Sequence, residues 1–148
     1  MNTKAIYFDM DGTIADLYGV NEWLPKLRAR DASPYKEARP MLKMQPLARR
    51  LNTLQKKGYK VGIVSWLSKA PPSEYDNEVD AAKREWLNKH LHSVHFDELI
   101  IVAHGTPKQN AVACPYGILF DDEQKNRNEW RGRAYEPEHI LNILGALR

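Results

Sequence analysis

The chain has 148 residues, 43% of them hydrophobic and 28% charged, with a formal net charge of +3 and a pI near 8.9. That length supports one core and not two ordinary domains. The mild positive balance helps attract anions such as phosphate esters but falls short of the dense basic surface of a dedicated nucleic-acid binder. The single cysteine, Cys114, excludes an internal disulfide, and the opening MNTKAIYFDM reads as a buried strand rather than a targeting segment. A reducing cytoplasm is therefore the expected compartment. No apolar run approaches the roughly 18 residues needed to span a membrane.

Four short apolar runs occur along the chain: Ala5-Ile6-Tyr7-Phe8, Val61-Gly62-Ile63-Val64, Leu99-Ile100-Ile101-Val102 and Gly117-Ile118-Leu119-Phe120. Each lacks polar alternation, as expected of parallel strands buried on both faces. Between the first and second runs, Leu47, Leu51 and Leu54 repeat at helical spacing, and Gly58 supplies a C-terminal stop. Val79, Ala82, Trp86 and Leu87 mark a second helix running to about Leu91. A short strand at Arg133-Ala134-Tyr135 is expected before a tail helix from Pro137 to Leu147. Strands alternating with helices predict an α/β domain over residues 1–148, a three-layer Rossmann-like parallel sheet. Two stretches break the rhythm. The segment from Ala15 to Gln45, interrupted by Pro25, Pro34 and Pro40, is too long for an ordinary connection and reads as a small helical cap inserted after the first strand, at about 15–45. Pro71-Pro72 forces the stretch from Trp66 to Asp76 into an extended loop.

The first strand ends in Asp9-Met10-Asp11-Gly12-Thr13. Ligands of open parallel sheets bind beyond the carboxyl ends of the strands. Two carboxylates there repel unless a cation or a shared proton offsets them. Gly12 permits a sharp turn that brings backbone amides near an anion. Such a motif alone also describes an ordinary strand-ending turn. The other strand ends add to it: Ser65 after the second, and Asp121-Asp122 after the fourth. Ahead of the fourth, Gly105-Thr106-Pro107-Lys108 opens a short helix, with Thr106 expected as its cap and Pro107 at its first position. Four carboxylates, a hydroxyl and an ammonium would then share one face. Carboxylate oxygens suit Mg²⁺, which is commonly held by one or two carboxylates plus phosphate and water.

These four elements, in this order, resemble the four motifs of the haloacid dehalogenase superfamily, and they span residues 9 to 126. The resemblance implies a Mg²⁺-dependent phosphatase. Asp9 would be the nucleophile that takes the phosphoryl group. Asp11 would protonate the leaving alcohol and then activate water. Ser65 and Lys108 would hold phosphoryl oxygens, with Gly12 and Thr13 of the first motif beside the substrate. The metal would be held by Asp9, the backbone carbonyl of Asp11 and one of Asp121 and Asp122. Asp122 is the favoured direct ligand and Asp121 the water-mediated or orienting partner, with the reverse order left open. Asn126 stands where many relatives carry a second acid, and a capping or supporting duty is expected of it. A carboxylate at position 11 implies turnover by hydrolysis rather than a preserved phospho-aspartate.

The stretches Ala82 to Leu87 and Leu119 to Asp122 are also loosely similar to the deoxyribonucleotidase branch of that superfamily. The expected substrate is a small phosphate ester such as a nucleoside monophosphate, because the insertion is too short for an elaborate closed pocket yet long enough to limit access for a duplex. A polynucleotide end is the alternative reading, not favoured, and a non-catalytic phosphate-binding module is a third, against which the intact Asp9 and Asp11 argue. Oligomeric state is not legible. His90, His92 and His95 fall where a helix should end, and a favourable contact with its dipole is preferred to metal binding. Cys114 is expected to be a packed thiol, and Trp86 a core residue. The pairs Arg49-Arg50 and Lys56-Lys57 are expected on a solvated helix face. Trp66 either borders the phosphate site or packs under the Pro71-Pro72 loop. Tyr18, Trp23 and Tyr35 are expected to form the insertion's own core rather than a stacking surface.

Overall fold

The computed structural model describes residues 2–148. In chain order the elements are β1 (Ala5–Phe8), β2 (Ala15–Asp16), a 3-10 turn (Leu17–Gly19), α1 (Trp23–Arg28), α2 (Ser33–Glu37), β3 (Arg39–Pro40) and α3 (Met44–Lys56). Then follow β4 (Lys60–Trp66), α4 (Tyr75–His90), β5 (Glu98–Val102), α5 (Lys108–Ala111), β6 (Ile118–Phe120), α6 (Gln124–Glu129), β7 (Arg133–Tyr135), a 3-10 turn (Pro137–His139) and α7 (Ile140–Ala146).

Five strands form one wholly parallel sheet in the order β5-β4-β1-β6-β7. The chain builds outward from β1 through β4 to β5, then crosses to the other side of β1 for β6 and β7. The order therefore reverses between β1 and β6, and the crevice at a parallel sheet's binding end opens at such a switch point. Phe8 is paired with Phe120, and the Asp9 amide donates to the Phe120 carbonyl at 2.9 Å. This register brings the Asp9 and Asp121 ends of the two strands level.

The two faces of the sheet are covered unequally. Ile6, Phe8, Val61, Ile63, Ile118 and Phe120 pack with Leu47, Leu51 and Leu54 of α3, Trp86 and Leu87 of α4, and Ile140 and Leu144 of α7. Burying side chains of this kind is worth about 1.5–3 kcal/mol each, which makes this face the main source of stability. The opposite face, with Ala5, Tyr7, Val64 and Leu119, is closed mainly by Trp130, Ala111, Val112 and Cys114. Trp130 meets Tyr7 edge-on at 5.6 Å. Cys114 is half-buried in this cluster, as expected of a packed thiol.

Four local expectations require correction. The Leu99–Val102 run is not buried on both faces; β5 is an edge strand and its residues are only half-buried. Thr106 does not cap α5. Pro107 occupies the cap position with no side-chain cap bond, while the Thr106 hydroxyl turns back to the Ala103 carbonyl at 2.7 Å. Pro137 opens a 3-10 turn rather than the tail helix itself. Arg50 does not belong to a solvated face. Its guanidinium donates to the carbonyls of Leu144 at 2.8 Å and Leu147 at 2.7 Å, satisfying acceptors that the end of α7 leaves open.

The insertion is mostly helical, with α1 and α2 carried on a neck formed by the antiparallel pair of β2 and β3. It is fastened to α4. Leu17 and Tyr35 pack against Tyr75, Val79 and Ala82, and the Tyr75 hydroxyl donates to the Asp31 carbonyl at 3.0 Å. Tyr35 thus belongs to the insertion's core, whereas Tyr18 is 49% exposed and meets Trp23 edge-on at 4.9 Å. The core expectation fails for Tyr18 because the segment is too thin to enclose more than one tyrosine. No helix among the described residues is long and apolar enough to cross a membrane.

Candidate active site

The turn after β1 is built on one carbonyl. Met10 O accepts from the amides of Thr13, Ile14 and Ala15 at 3.0–3.1 Å, folding the chain back on itself. Gly12 makes this possible at φ +80°; a Cβ there would lie 2.3 Å from Asp122 Oδ2. The glycine is therefore required by backbone conformation and by the close approach of a carboxylate from the neighbouring strand.

Asp9, Asp121 and Asp122 each offer an oxygen within 4.8 Å of the others, beside the switch point. Lys108, at the start of α5, is only 2% exposed and holds the first two together. Its ammonium donates to Asp9 Oδ1 at 2.8 Å and to Asp121 Oδ2 at 2.7 Å. Burial alone would lower the Lys108 pKa, but the Asp9 and Asp121 charges outweigh it and raise it, so the ammonium stays charged.

The two motif-four carboxylates differ in what they already hold. Asp121 is fully buried; its Oδ2 accepts from Lys108 and from Asn126 Nδ2 at 3.1 Å, and its Oδ1 from the Glu123 amide at 2.9 Å. Asp122 is half-buried, and among the described residues the one donor reaching its side chain is the Thr13 hydroxyl, at a long 3.5 Å. Burial, then the Asp9 charge, push Asp122 up to about 8; the same two causes, countered by Lys108, leave Asp121 at about 6. The less engaged Asp122 has the lone pairs to spare for a cation, whereas Asp121 is spoken for by Lys108. The donor set is all oxygen and anionic, and its mutual repulsion is what a hard dication relieves, so these residues fit Mg²⁺.

Other predicted positions surround this group. Thr13 is 1% exposed; its hydroxyl donates to Asp9 Oδ2 at 3.0 Å and accepts from the Asp122 amide at 3.1 Å, linking the two strand ends. Ser65 is fully buried, and its Oγ accepts from Lys83 at 2.7 Å. Asn126 supports Asp121 rather than reaching a metal position. Asp11 faces the cavity with its side chain 19% exposed; burial, only partly offset by Lys83, raises its carboxyl above the usual range.

Above the carboxylates lies a cavity of about 760 Å³. Tyr18, Trp23, Leu24 and Leu27 of the insertion form one wall; Trp66 and His104 form another. Trp66 borders this cavity. Its indole N–H donates to the Thr106 carbonyl at 2.8 Å, its ring lies 5.1 Å from the Lys108 ammonium, and His104 leans on it at 4.7 Å. His90 rests against Trp86 at 4.5 Å at the end of α4.

Two residues of the site escaped the sequence reading. His104 carried no signal. Lys83 did: it interrupts the apolar stripe of Val79, Ala82, Trp86 and Leu87 on α4, where a charge is out of place unless something pairs with it. It pairs with Asp11 at 2.8 Å.

Fold and site together define an α/β protein with an acidic, lysine-braced centre at the switch point of a parallel sheet. No protein-family model matches the chain, and no curated protein matches it.

Proposed function

We propose that this chain is a Mg²⁺-dependent phosphomonoester hydrolase of the haloacid dehalogenase type, working through an aspartyl-phosphate on Asp9 and acting on a small phosphate ester such as a nucleoside monophosphate. The observation that carries the reading is the pairing at the switch point of Asp9 with the buried ammonium of Lys108, beside a second carboxylate, Asp11, that opens on the same cavity.

The chemistry follows from those groups. An Asp9 oxygen attacks phosphorus and forms a new O–P bond as the ester P–O bond breaks. The leaving oxygen keeps the electron pair and takes a proton from Asp11. Water then gives a proton back to Asp11 as it attacks the same phosphorus, releasing phosphate and restoring Asp9. Lys108 spends two of its three N–H groups on Asp9 and Asp121, which leaves one for a phosphoryl oxygen. Mg²⁺ held by Asp9, Asp122 and the backbone carbonyl of Asp11 would add positive charge opposite the transferring group, the main source of rate in such reactions. Thr13 keeps Asp9 in its rotamer.

The cavity supports the substrate class. Its volume of about 760 Å³ falls within the range of small-molecule sites. Its aromatic walls, Tyr18 and Trp23 on one side and Trp66 on the other, offer faces on which a base gains roughly 1–3 kcal/mol by stacking. The test is catalytic efficiency with Mg²⁺ on nucleoside monophosphates, sugar phosphates and an oligonucleotide bearing a terminal phosphate, with Asp9→Asn and a chelator as controls. Mononucleotides are expected to lead, and both controls to remove turnover by several orders of magnitude. A preference for the oligonucleotide would replace the small-ester reading with an end-processing one. Asp9→Asn retaining a tenth of the rate would overturn the mechanism.

A further inference from the structure

The phosphatase mechanism uses Lys108 and leaves the second buried lysine without a task. Lys83 is 1% exposed and does not line the cavity. An ammonium has three N–H donors. At Lys83 there are three acceptors for them: Asp11 Oδ2 at 2.8 Å, Ser65 Oγ at 2.7 Å and the Trp66 carbonyl at 2.6 Å. Lys108 has two such partners and a donor to spare; Lys83 has none. It cannot grip a phosphoryl oxygen without giving up a bond inside the protein. Tyr35 closes over it from the insertion, its ring centre 5.1 Å from the ammonium.

Desolvating an ammonium costs several kcal/mol, and a Leu or Met on this apolar stripe of α4 would avoid that cost. The charge is therefore placed to hold a partner. Two of its partners, Ser65 and Trp66, are on the rigid end of β4. The third, Asp11, sits on the turn after β1, and its carboxyl torsion is intrinsically broad. Lys83 ties the soft element to the rigid one by a single oxygen of Asp11. The other oxygen, Oδ1, makes none of the site's hydrogen bonds among the described residues.

We propose that Lys83 is a positioning residue for the proton-transfer group: by holding Asp11 Oδ2 against the end of β4, it presents Oδ1 to the leaving-group oxygen. The inference rests on the phosphatase reading. Without Lys83 the carboxyl turns freely, and a misplacement of about 1 Å at a reacting group is worth on the order of a hundredfold in rate. The loss falls only on reactions that need the proton. An alkoxide leaves poorly unless protonated, whereas 4-nitrophenolate leaves unaided.

The experiment measures kcat/KM with Mg²⁺ for a primary alkyl phosphate and for 4-nitrophenyl phosphate, in the wild type, Lys83→Met, Asp11→Asn and the double variant. The ratio kcat/KM ends at the first irreversible step, so it reads departure of the leaving group and not the later hydrolysis on Asp9. In Lys83→Met the alkyl ester is expected to fall about a hundredfold and the nitrophenyl ester by less than about threefold. The double variant should be no worse than Asp11→Asn alone, because both changes disable one unit. Inhibition by inorganic phosphate should stay within about twofold of wild type, since Lys83 has no donor for it. Equal losses on both esters, additive losses in the double variant, or a large loss of phosphate binding would overturn the proposal. If Lys83→Met does not fold, Lys83→Gln carries the same comparison with a donor retained, and an unselective loss there overturns it equally. A wild type inactive on both esters overturns the phosphatase reading and this inference with it; an active wild type with unselective variants overturns this inference alone.

Discussion

Replacing Lys108 by methionine tests the electrostatic construction of the site independently of any substrate. The ammonium is 2% exposed and sits between Asp121, whose side chain is fully buried, and Asp9, 10% exposed. Removing one partner of a buried ion pair costs about 3–5 kcal/mol, because the other charge is left without compensation. In a domain of this length each kcal/mol shifts the melting temperature by about 2–4 °C, so the expected drop is roughly 6–20 °C. Its pH dependence has a definite sign. In the metal-free protein, burial and the Asp9 charge push Asp122 up to about 8 and Asp121 up to about 6. A carboxyl raised in the folded state holds a proton that the unfolded chain has already released. Its contribution is most favourable below the ordinary carboxylate range and is lost as pH climbs through the folded value. Taking away the ammonium that holds Asp121 down steepens that loss. The gap between wild type and Lys108→Met should therefore be smallest near pH 5 and widest near pH 8. Metal-free thermal melts followed by circular dichroism over this range are the assay. A drop below about 2 °C at pH 8, or a gap that narrows as pH rises, would refute the reasoning.

Mg²⁺ should raise the melting temperature more at pH 8 than at pH 5, because Asp122 must lose its proton to bind a cation; equal shifts at both would exclude it as a ligand. Gly12→Ala puts a Cβ 2.3 Å from Asp122 Oδ2 on a backbone at φ +80°. It should cost about 1–2 kcal/mol in denaturant melts and weaken Mg²⁺ binding in a titration, and unchanged metal affinity would mean that Asp122 is not held where the cation sits. Trp86→Ala, which empties the core and frees the Ala38 carbonyl, should cost about 3–5 kcal/mol, whereas half-buried Trp66→Ala should lose less stability and more catalytic efficiency on mononucleotides. The reverse order in paired melts and assays would place Trp66 in the fold rather than the site.

The parts legible in the chain were those encoded by neighbours. The apolar runs at Ala5–Phe8, Val61–Val64 and Gly117–Phe120 declare buried strands because each is bounded by polar residues or turns. The carboxylates at Asp9, Asp11, Asp121 and Asp122 are visible because they stand at the ends of those runs, and parallel strands bring their carboxyl ends to one edge. Distance between remote positions is another matter. That Lys83 reaches Asp11, 72 positions earlier, depends on how α4 lies across the sheet; in sequence its place on the apolar stripe shows that it needs a partner but not which one. Arg50 reads as solvated until α7 brings its carbonyls onto it, and β5 reads as central because its composition does not record that no strand among the described residues pairs with its outer side. Tyr35 and Tyr18 share one short segment and one residue type, yet the first is buried against α4 and the second is half exposed. Local composition specifies which element a residue joins. The packing of elements decides which donors are spent, which carboxylate is free and which face meets water, because burial and hydrogen-bond satisfaction are properties of the assembled core.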